Sequence, residues 1–99
     1  MEKINSSQRS YLKSQAHHLN PVVLIGKNGL NDGAIDLINK ALDKRELIKI
    51  KFRDFKDNKR SLSEEITMKT DSILVSIIGH TLIIFKENLN SEKRHLKLP

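Results

Sequence analysis

The sequence predicts an α/β domain of the two-layer α+β class, with the element order α-β-α-β-α-β-β. Segments with apolar residues at helical spacing alternate along the chain with short runs of β-branched residues. A strand-helix-strand unit from Val22 to Phe52 implies two parallel strands joined by a right-handed crossover, and the last two strands form a hairpin. The chain has 99 residues, which fits one domain. We therefore expect one mixed, four-stranded sheet with the helices packed on it.

The first helix and the first strand are predicted within NSSQRSYLKSQAHHLNPVVLI. Ser6 or Ser7 can cap the helix, and apolar residues follow at helical spacing. Proline disfavours the helical conformation in the residue before it, so the helix ends before Asn20 and Pro21. The run PVVLI is apolar throughout, which predicts a central strand that is buried on both faces.

A second helix is predicted from Asp32 to Lys44, with Asn31 as its N-cap. Its apolar residues recur at the spacing of one buried stripe, which comprises Ile35, Ile38, Ala41 and Leu42. The following stretch ELIKIKFRDF alternates apolar and basic residues, which predicts a half-exposed strand. Its inner face carries Ile48, Ile50 and Phe52, and its basic outer face carries Lys49, Lys51 and Arg53.

The rest of the domain is predicted to be a helix and a hairpin. The stretch KDNKRSLSEEITMKT places Leu62 and Ile66 on one helical face and two glutamates early in the helix. The stretch SILVSIIGHTLIIFK contains two strands around Gly79-His80, a two-residue turn led by glycine. We expect residues 1–86 to form the domain and residues 87–99 to form a loosely held polar tail, in which HLKL docks as a short extended piece.

The composition favours an anionic partner. Eighteen lysine and arginine residues against 12 aspartate and glutamate residues give a net charge of +6, which favours nucleic acid, an anionic membrane surface or an acidic protein. The chain has no cysteine, which excludes disulfides, cysteine zinc sites and cysteine nucleophiles. No apolar run approaches the roughly 20 residues that span a membrane, and the N-terminus lacks the apolar core of a signal peptide. We expect a cytoplasmic protein with no membrane partner.

The segment GKNG, Gly26 to Gly29, is the candidate binding loop. It precedes a predicted helix, whose free N–H groups and positive dipole end favour an anion. Its glycines permit positive φ or a close approach of another backbone, Lys27 adds a cation, and Asn28 adds hydrogen-bond donors. The KH domain holds a nucleic-acid backbone with a GxxG loop of this kind. A tight turn that needs two glycines has the same pattern, so both interpretations stay open.

Basic side chains outside the loop are further candidates for contact with nucleic acid. Lys49, Lys51 and Arg53 share one strand face, and their mutual repulsion predicts a partner or a nearby acid that offsets it. Lys13 lies on the first predicted helix, and His80 lies at the hairpin turn. The aromatic residues are too few for a stacking platform of the RRM kind, so binding is expected to rest on phosphate and shape. They are Tyr11, Phe52, Phe55 and Phe85.

Catalytic and metal sites find little support in the sequence. His17 and His18 are adjacent on a helix and point about 100° apart, so they do not share one metal ion easily. His80 and His95 are isolated, and neither a Ser/His/Asp spacing nor a nucleophile elbow is present. The loop also lacks the GK[ST] ending of a nucleotide-binding P-loop. We therefore expect no enzyme, no cofactor and no metal.

The stretch AHHLNPVVLIGKNGLNDGAIDLINKALDKRELIKIK closely resembles the core of the CRM domain in its small bacterial stand-alone form, the YhbY family. The most specific part is HHLNPVVLIGKNGL, and ELIKIKF and IIGHTLIIFK match the later strands of the family in order and spacing. The resemblance extends from Ser6 to Lys86, is weakest in RDFKDNKRSLSEEITMKTDS and is absent from the tail.

This resemblance implies an RNA-binding domain, similar in fold to the C-terminal domain of translation initiation factor three, that associates with precursors of the large ribosomal subunit and assists ribosome assembly. The family's GxxG loop, for which the resemblance implies RNA contact, maps onto Gly26, Lys27, Asn28 and Gly29. Charge and placement add as candidate RNA contacts Lys13, Lys49, Lys51 and His80. The expected partner is ribosomal RNA, bound by a monomer. The alternatives are a protein-protein interaction module on a ribosomal or regulatory partner, an enzyme acting on RNA, and a binder of duplex DNA.

Overall fold

The computed structural model describes residues 4–94 and 96–99. Within these residues the helices and strands follow the predicted order α-β-α-β-α-β-β. The helices are α1 (Ser6–Ala16), α2 (Asp32–Arg45) and α3 (Lys59–Thr70). The strands are β1 (Val23–Ile25), β2 (Leu47–Phe52), β3 (Ile73–Ile78) and β4 (Thr81–Phe85). Short 3-10 turns occupy Lys56–Asn58 and Ser91–Lys93. The predicted fold class, a mixed sheet with helices packed on it, is confirmed.

The four strands form one sheet in the order β1-β2-β4-β3. Strand β1 is parallel to β2, whereas β4 is antiparallel to both of its neighbours. The prediction that β1 is a central strand buried on both faces is wrong, because β1 is an edge strand with one open face. Val23 and Ile25 are buried, but Val22 is 41% exposed and Leu24 is 51% exposed. An apolar run does not show whether helices cover one face of a strand or both. In the structure a helix covers only the face of β1 that carries Val23 and Ile25.

Helices cover both faces of the sheet, so the structure has three layers where the sequence led us to expect two. On one face α2 and α3 enclose the larger core together with Val23, Ile25, Ile48, Ile50, Phe52, Leu82 and Ile84. On the other face α1 uses Leu12 and Ala16 to cover Leu47, Val75, Ile83 and Phe85. The third layer follows from the start of β2, where Leu47 and Ile48 are both buried although they point to opposite faces.

The helix caps explain where α1 and α2 begin. The cap of α1 is Asn5, not Ser6 or Ser7 as predicted. Its Oδ1 accepts from the Gln8 N–H at 2.8 Å, while Gln8 Oε1 accepts from the Asn5 N–H at 3.0 Å. This reciprocal capping box satisfies two N–H groups, and neither Ser6 nor Ser7 has a Glu or Gln three residues later with which to form one. The cap of α2 is Asn31, as predicted, and its Oδ1 accepts from the Ala34 N–H at 2.8 Å.

The C-terminal residues contact the domain on the side of α1. Leu96 and Leu98 are half-buried against the smaller core, and the Arg94 Nε–H donates to the carbonyl of Asn88 at 2.8 Å. Parts of the HLKL piece therefore do dock, although His95 lies outside the described residues. The boundary of the domain at residue 86 stays a prediction.

Candidate nucleic-acid interface

Three segments meet at the end of the sheet where β1 and β2 both terminate. Ile25 pairs with Phe52 in the parallel ladder, so the two chains leave the sheet side by side. The carbonyl of Ile25 accepts from the N–H groups of Arg53 at 2.9 Å and Asp54 at 3.1 Å. The Phe52 N–H donates to the carbonyl of His80 at 2.8 Å, which places the hairpin turn at the same end of the sheet. This carboxyl-end surface, as we name it, comprises residues 26–29, 53–55 and 79–80.

The GKNG loop is a tight turn with polar side chains at its tip. The Gly29 N–H donates to the carbonyl of Gly26 at 2.9 Å, which closes the turn. Lys27 and Asn28 are exposed between the two glycines. The cap of α2, Asn31, follows two residues later, so the loop adjoins the positive end of that helix.

The two glycines of the loop differ in what the fold demands of them. Gly29 has a φ of +63°, and a Cβ there would lie 3.3 Å from Cε2 of Phe55. Gly26 is outside the left-handed region, and its Cβ would meet only Oδ2 of Asp54 at 3.8 Å, an ordinary contact distance. The conformational requirement expected for both glycines is therefore present at Gly29 alone. Nothing within the described fold excludes a methyl group at Gly26.

The hairpin turn brings a further lysine to the carboxyl-end surface. Gly79 has a φ of +59°, as its position in a two-residue turn requires, and His80 is exposed. Lys59 begins α3, where its Nζ donates to the carbonyl of Gly79 and lies 3.4 Å from Nδ1 of His80. No sequence pattern marks Lys59 as a candidate, because only the packing of α3 brings it to a turn that lies 20 residues further on.

The basic strand face lies on the same side of the sheet as α1. Lys13 and Lys49 line one shallow cavity of about 340 Å³, together with Thr81. Lys51 pairs with Thr81 on one side and with Leu24 on the other. Thr81 directly follows His80, so Lys13, Lys49 and Lys51 form a row that leads to the carboxyl-end surface. The structure thus brings the predicted site residues to one side of the domain in two adjoining groups.

The basic side chains of the carboxyl-end surface and of β2 form no ion pair with a carboxylate within the described residues. The ion pairs found there join other groups, and none involves Lys27, Lys51 or Arg53. No carboxylate of the described residues therefore forms an ion pair that offsets the strand-face cations. Two carboxylates do lie near the loop, since Asp32 begins α2 and Asp54 borders Gly26. Asp32 has a structural reason for its place, because an acid stabilises the first turn of a helix.

Phe55 belongs to this surface, although it is not among the contacts predicted from the sequence. Its backbone is left-handed, with φ of 58° and ψ of 34°, and the residue is 45% exposed. Its ring lies against Gly29, the glycine that the turn requires. The available signal was an aromatic residue inside the polar stretch RDFKDN, where no helical or strand periodicity calls for one.

Residues 4–94 and 96–99 contain no group of three or more His, Cys, Asp or Glu side chains that could hold a metal ion. The rings of His17 and His18 stand edge to face with centroids 5.0 Å apart. No helix in the described part of the chain has the length and apolar character needed to cross a membrane.

Comparison with known proteins matches the CRS1 / YhbY (CRM) domain to residues 4–86. A Bacillus subtilis protein named "Probable RNA-binding protein YqeI" is 36% identical over 97 residues, covering 97% of this chain and 99% of its own. An "RNA-binding protein" of Haemophilus influenzae is 37% identical over 100 aligned positions, covering 100% and 98%. The solution structure of the hypothetical protein SAV1595 from Staphylococcus aureus has a TM-score of 0.79 and 35% identity, covering 97% and 99%. The resemblance found in the sequence is confirmed, and the chain belongs to the CRS1 / YhbY (CRM) domain family.

Proposed function

We propose that this protein binds RNA and holds the phosphate backbone between the GKNG loop and the amino end of α2. The observation that carries the proposal is the build of the loop. Its tip presents Lys27 and Asn28 to solvent, and its first glycine is one that the described fold does not need. A backbone free of side chains beside a cation and the positive end of a helix suits a phosphate group. The relatives in Bacillus subtilis and Haemophilus influenzae are named for RNA binding, which supports RNA as the ligand.

The row of Lys13, Lys49 and Lys51 supplies attraction along the approach to the loop. Lys13 and Lys49 line the cavity beside α1, and Lys51 pairs with Thr81, which directly follows His80 of the hairpin turn. Each phosphate that a lysine neutralises releases counterions, so the row raises affinity for any RNA without reading its sequence. The loop then fixes where the backbone sits, because phosphate contacts position a ligand more than they select it.

The RNA that we propose as the ligand is ribosomal RNA in precursors of the large subunit, where the protein assists assembly. The support is the resemblance of HHLNPVVLIGKNGL to the YhbY family. Binding of this kind requires no chemical step, so we propose a non-enzymatic factor. We also propose that it is monomeric and works in the cytoplasm.

The test compares Lys27→Gln with the matched control Lys97→Gln, which removes the same charge from an exposed lysine of the tail. Affinity for single-stranded ribosomal RNA fragments is measured by fluorescence anisotropy over a series of salt concentrations. We expect Lys27→Gln to weaken binding and to reduce the slope of log affinity against log salt by about 0.7, the contribution of one phosphate. Equal affinities and slopes for the two variants would remove Lys27 from the interface.

A protein partner is the second candidate function, and the open half of the sheet face favours it. Leu24 is 51% exposed and Ile78 is 55% exposed, and both lie on the side of the sheet that α1 covers only in part. Affinity capture from a lysate separates the two functions. Capture of a ribosomal protein that survives ribonuclease treatment would favour the protein partner, whereas loss of the captured complex would favour RNA.

A further inference from the structure

Phe55 is an exposed aromatic residue in a conformation that bulky side chains rarely adopt. Its φ of 58° and ψ of 34° lie in the left-handed region, which a β-carbon makes unfavourable. The ring is absent from both apolar cores of the described residues, and the residue remains 45% exposed. Core packing therefore does not explain why this position holds an aromatic side chain in a strained backbone.

The strained backbone holds the ring in one place. The two residues before Phe55 donate their N–H groups to the carbonyl of Ile25, at 2.9 Å and 3.1 Å. The carbonyl of Phe55 accepts from the Asn58 N–H at 2.9 Å at the start of the 3-10 turn. With the backbone fixed on both sides, the edge of the ring rests on Gly29, where a Cβ would lie 3.3 Å from Cε2. The ring is thus preorganised at the end of the GKNG loop.

We propose that Phe55 is a stacking platform for one unpaired RNA base, and that the backbone of the same RNA segment lies in the GKNG loop. The proposal rests on the proposed function and adds that the ligand is single-stranded at this point. Bases of single strands stack on exposed aromatic rings, whereas bases of a duplex are already stacked on each other. The loop that presents Lys27 and Asn28 ends at the glycine under the ring, so phosphate and base contacts are adjacent.

The charge around the ring favours a nucleotide over an apolar protein segment. Three cations, Arg53, Lys56 and Lys27, are exposed near Phe55, against two exposed carboxylates, Asp54 and Asp57, so the local charge is net positive. An apolar partner would have to desolvate these cations to cover the ring, which carries a free-energy cost. An RNA strand supplies phosphates to the cations and a flat base to the ring. A single ring can hold one base, which differs from the multi-base platform that the few aromatic residues exclude.

The test uses Phe55→Leu and Phe55→Trp with two probes of equal length. One probe is a single-stranded oligoribonucleotide of mixed sequence, and the other has the same sugars and phosphates without bases. Phe55→Leu keeps an apolar cover on Gly29 but removes the aromatic face. We expect it to weaken binding of the first probe about fivefold or more and to leave the abasic probe unaffected. Phe55→Trp introduces a tryptophan into a chain that has none, and we expect RNA with bases to quench its fluorescence.

The outcomes separate this proposal from the proposed function. Lys27→Gln should weaken binding of both probes, because phosphates are present in each. If Lys27→Gln weakens binding while Phe55→Leu binds both probes like the wild type, the stacking proposal fails and the phosphate grip stands. If Phe55→Leu weakens both probes equally, the ring only positions the loop and the proposal is overturned. If the wild type binds neither probe, both proposals fail. Thermal unfolding of each variant confirms that the comparison is between folded proteins.

Discussion

Replacement of each loop glycine by alanine should separate folding from RNA binding. Gly29→Ala introduces a Cβ at a φ of +63° and against the ring of Phe55, whereas Gly26→Ala introduces one at an ordinary φ with room around it. We therefore expect Gly29→Ala to lower the free energy of unfolding. We expect Gly26→Ala to leave it unchanged or to raise it slightly, and to weaken RNA binding.

The magnitudes follow from the two backbone conformations. A residue with a side chain in the left-handed region costs about 1–2 kcal/mol relative to its usual conformation. Replacement of glycine by alanine also reduces the entropy of the unfolded chain, which stabilises the folded state by about 0.4–1 kcal/mol where no strain arises. Gly29→Ala carries both terms and the contact with Phe55 at 3.3 Å, so its net effect is a loss of about 1 kcal/mol. Gly26→Ala carries only the favourable term, because its contact at 3.8 Å is an ordinary one.

Urea unfolding followed by circular dichroism measures both free energies, and anisotropy with a ribosomal RNA fragment measures both affinities. A loss of about 1 kcal/mol corresponds to a melting temperature that is about 4–8 °C lower for a domain of this size. Equal destabilisation by the two substitutions would refute the assignment of separate roles. Wild-type affinity for Gly26→Ala in a stable protein would show that no ligand approaches the first glycine, and the turn interpretation of GKNG would then suffice.

Three further predictions concern the stability of the fold that carries the carboxyl-end surface. Glu46 is fully buried, and its Oε2 accepts from the Asn88 N–H at 2.7 Å, so Glu46→Ala should lower the free energy of unfolding by about 1–3 kcal/mol by leaving that donor unpaired. Urea unfolding checks this against Glu46→Gln, which keeps an acceptor. Ile50→Ala should cost about 2–5 kcal/mol, because Ile50 is 0% exposed at the centre of the larger core, and an unchanged urea midpoint would contradict this. Deletion of residues 87–99 should lower the melting temperature, because Leu96 and Leu98 cover the smaller core; an unchanged melting temperature would support a boundary at residue 86.

The order of elements was predictable because the local signals are strong and agree with one another. The alternation in β2 and the stripe in α2 led to the correct faces, with Ile50, Phe52, Ile38 and Leu42 all buried. The place of β1 in the sheet was not predictable, since the short run VVLI fits a buried strand or an edge strand equally well. Leu24 is exposed because α1 packs against β2, β3 and β4 and does not cover β1 at the edge of the sheet.

The candidate site was predictable where one short segment carries it and not where several segments assemble it. The GKNG loop is visible as a motif because its four residues are consecutive between a strand and a helix. Lys59 and Phe55 join the surface through the packing of α3 and the turn of the chain after β2. No spacing along the sequence encodes those contacts. The loop is therefore visible in the sequence as a candidate site, whereas the residues that contact it are not.

The parallel pairing of β1 with β2 determines which residues of the proposed RNA-binding site lie together. Because β1 is parallel to β2, both strands terminate at the same end of the sheet, and the loops that follow them lie side by side. That arrangement places GKNG beside the segment that carries Arg53 and Phe55, and the hydrogen bonds to the carbonyl of Ile25 hold the two together. The strand face with Lys49 and Lys51 is only partly covered by α1, and the basic row leads along this face toward the hairpin turn. The parallel pairing of β1 with β2 thus places the loop that we propose to hold a phosphate close to the row of Lys13, Lys49 and Lys51.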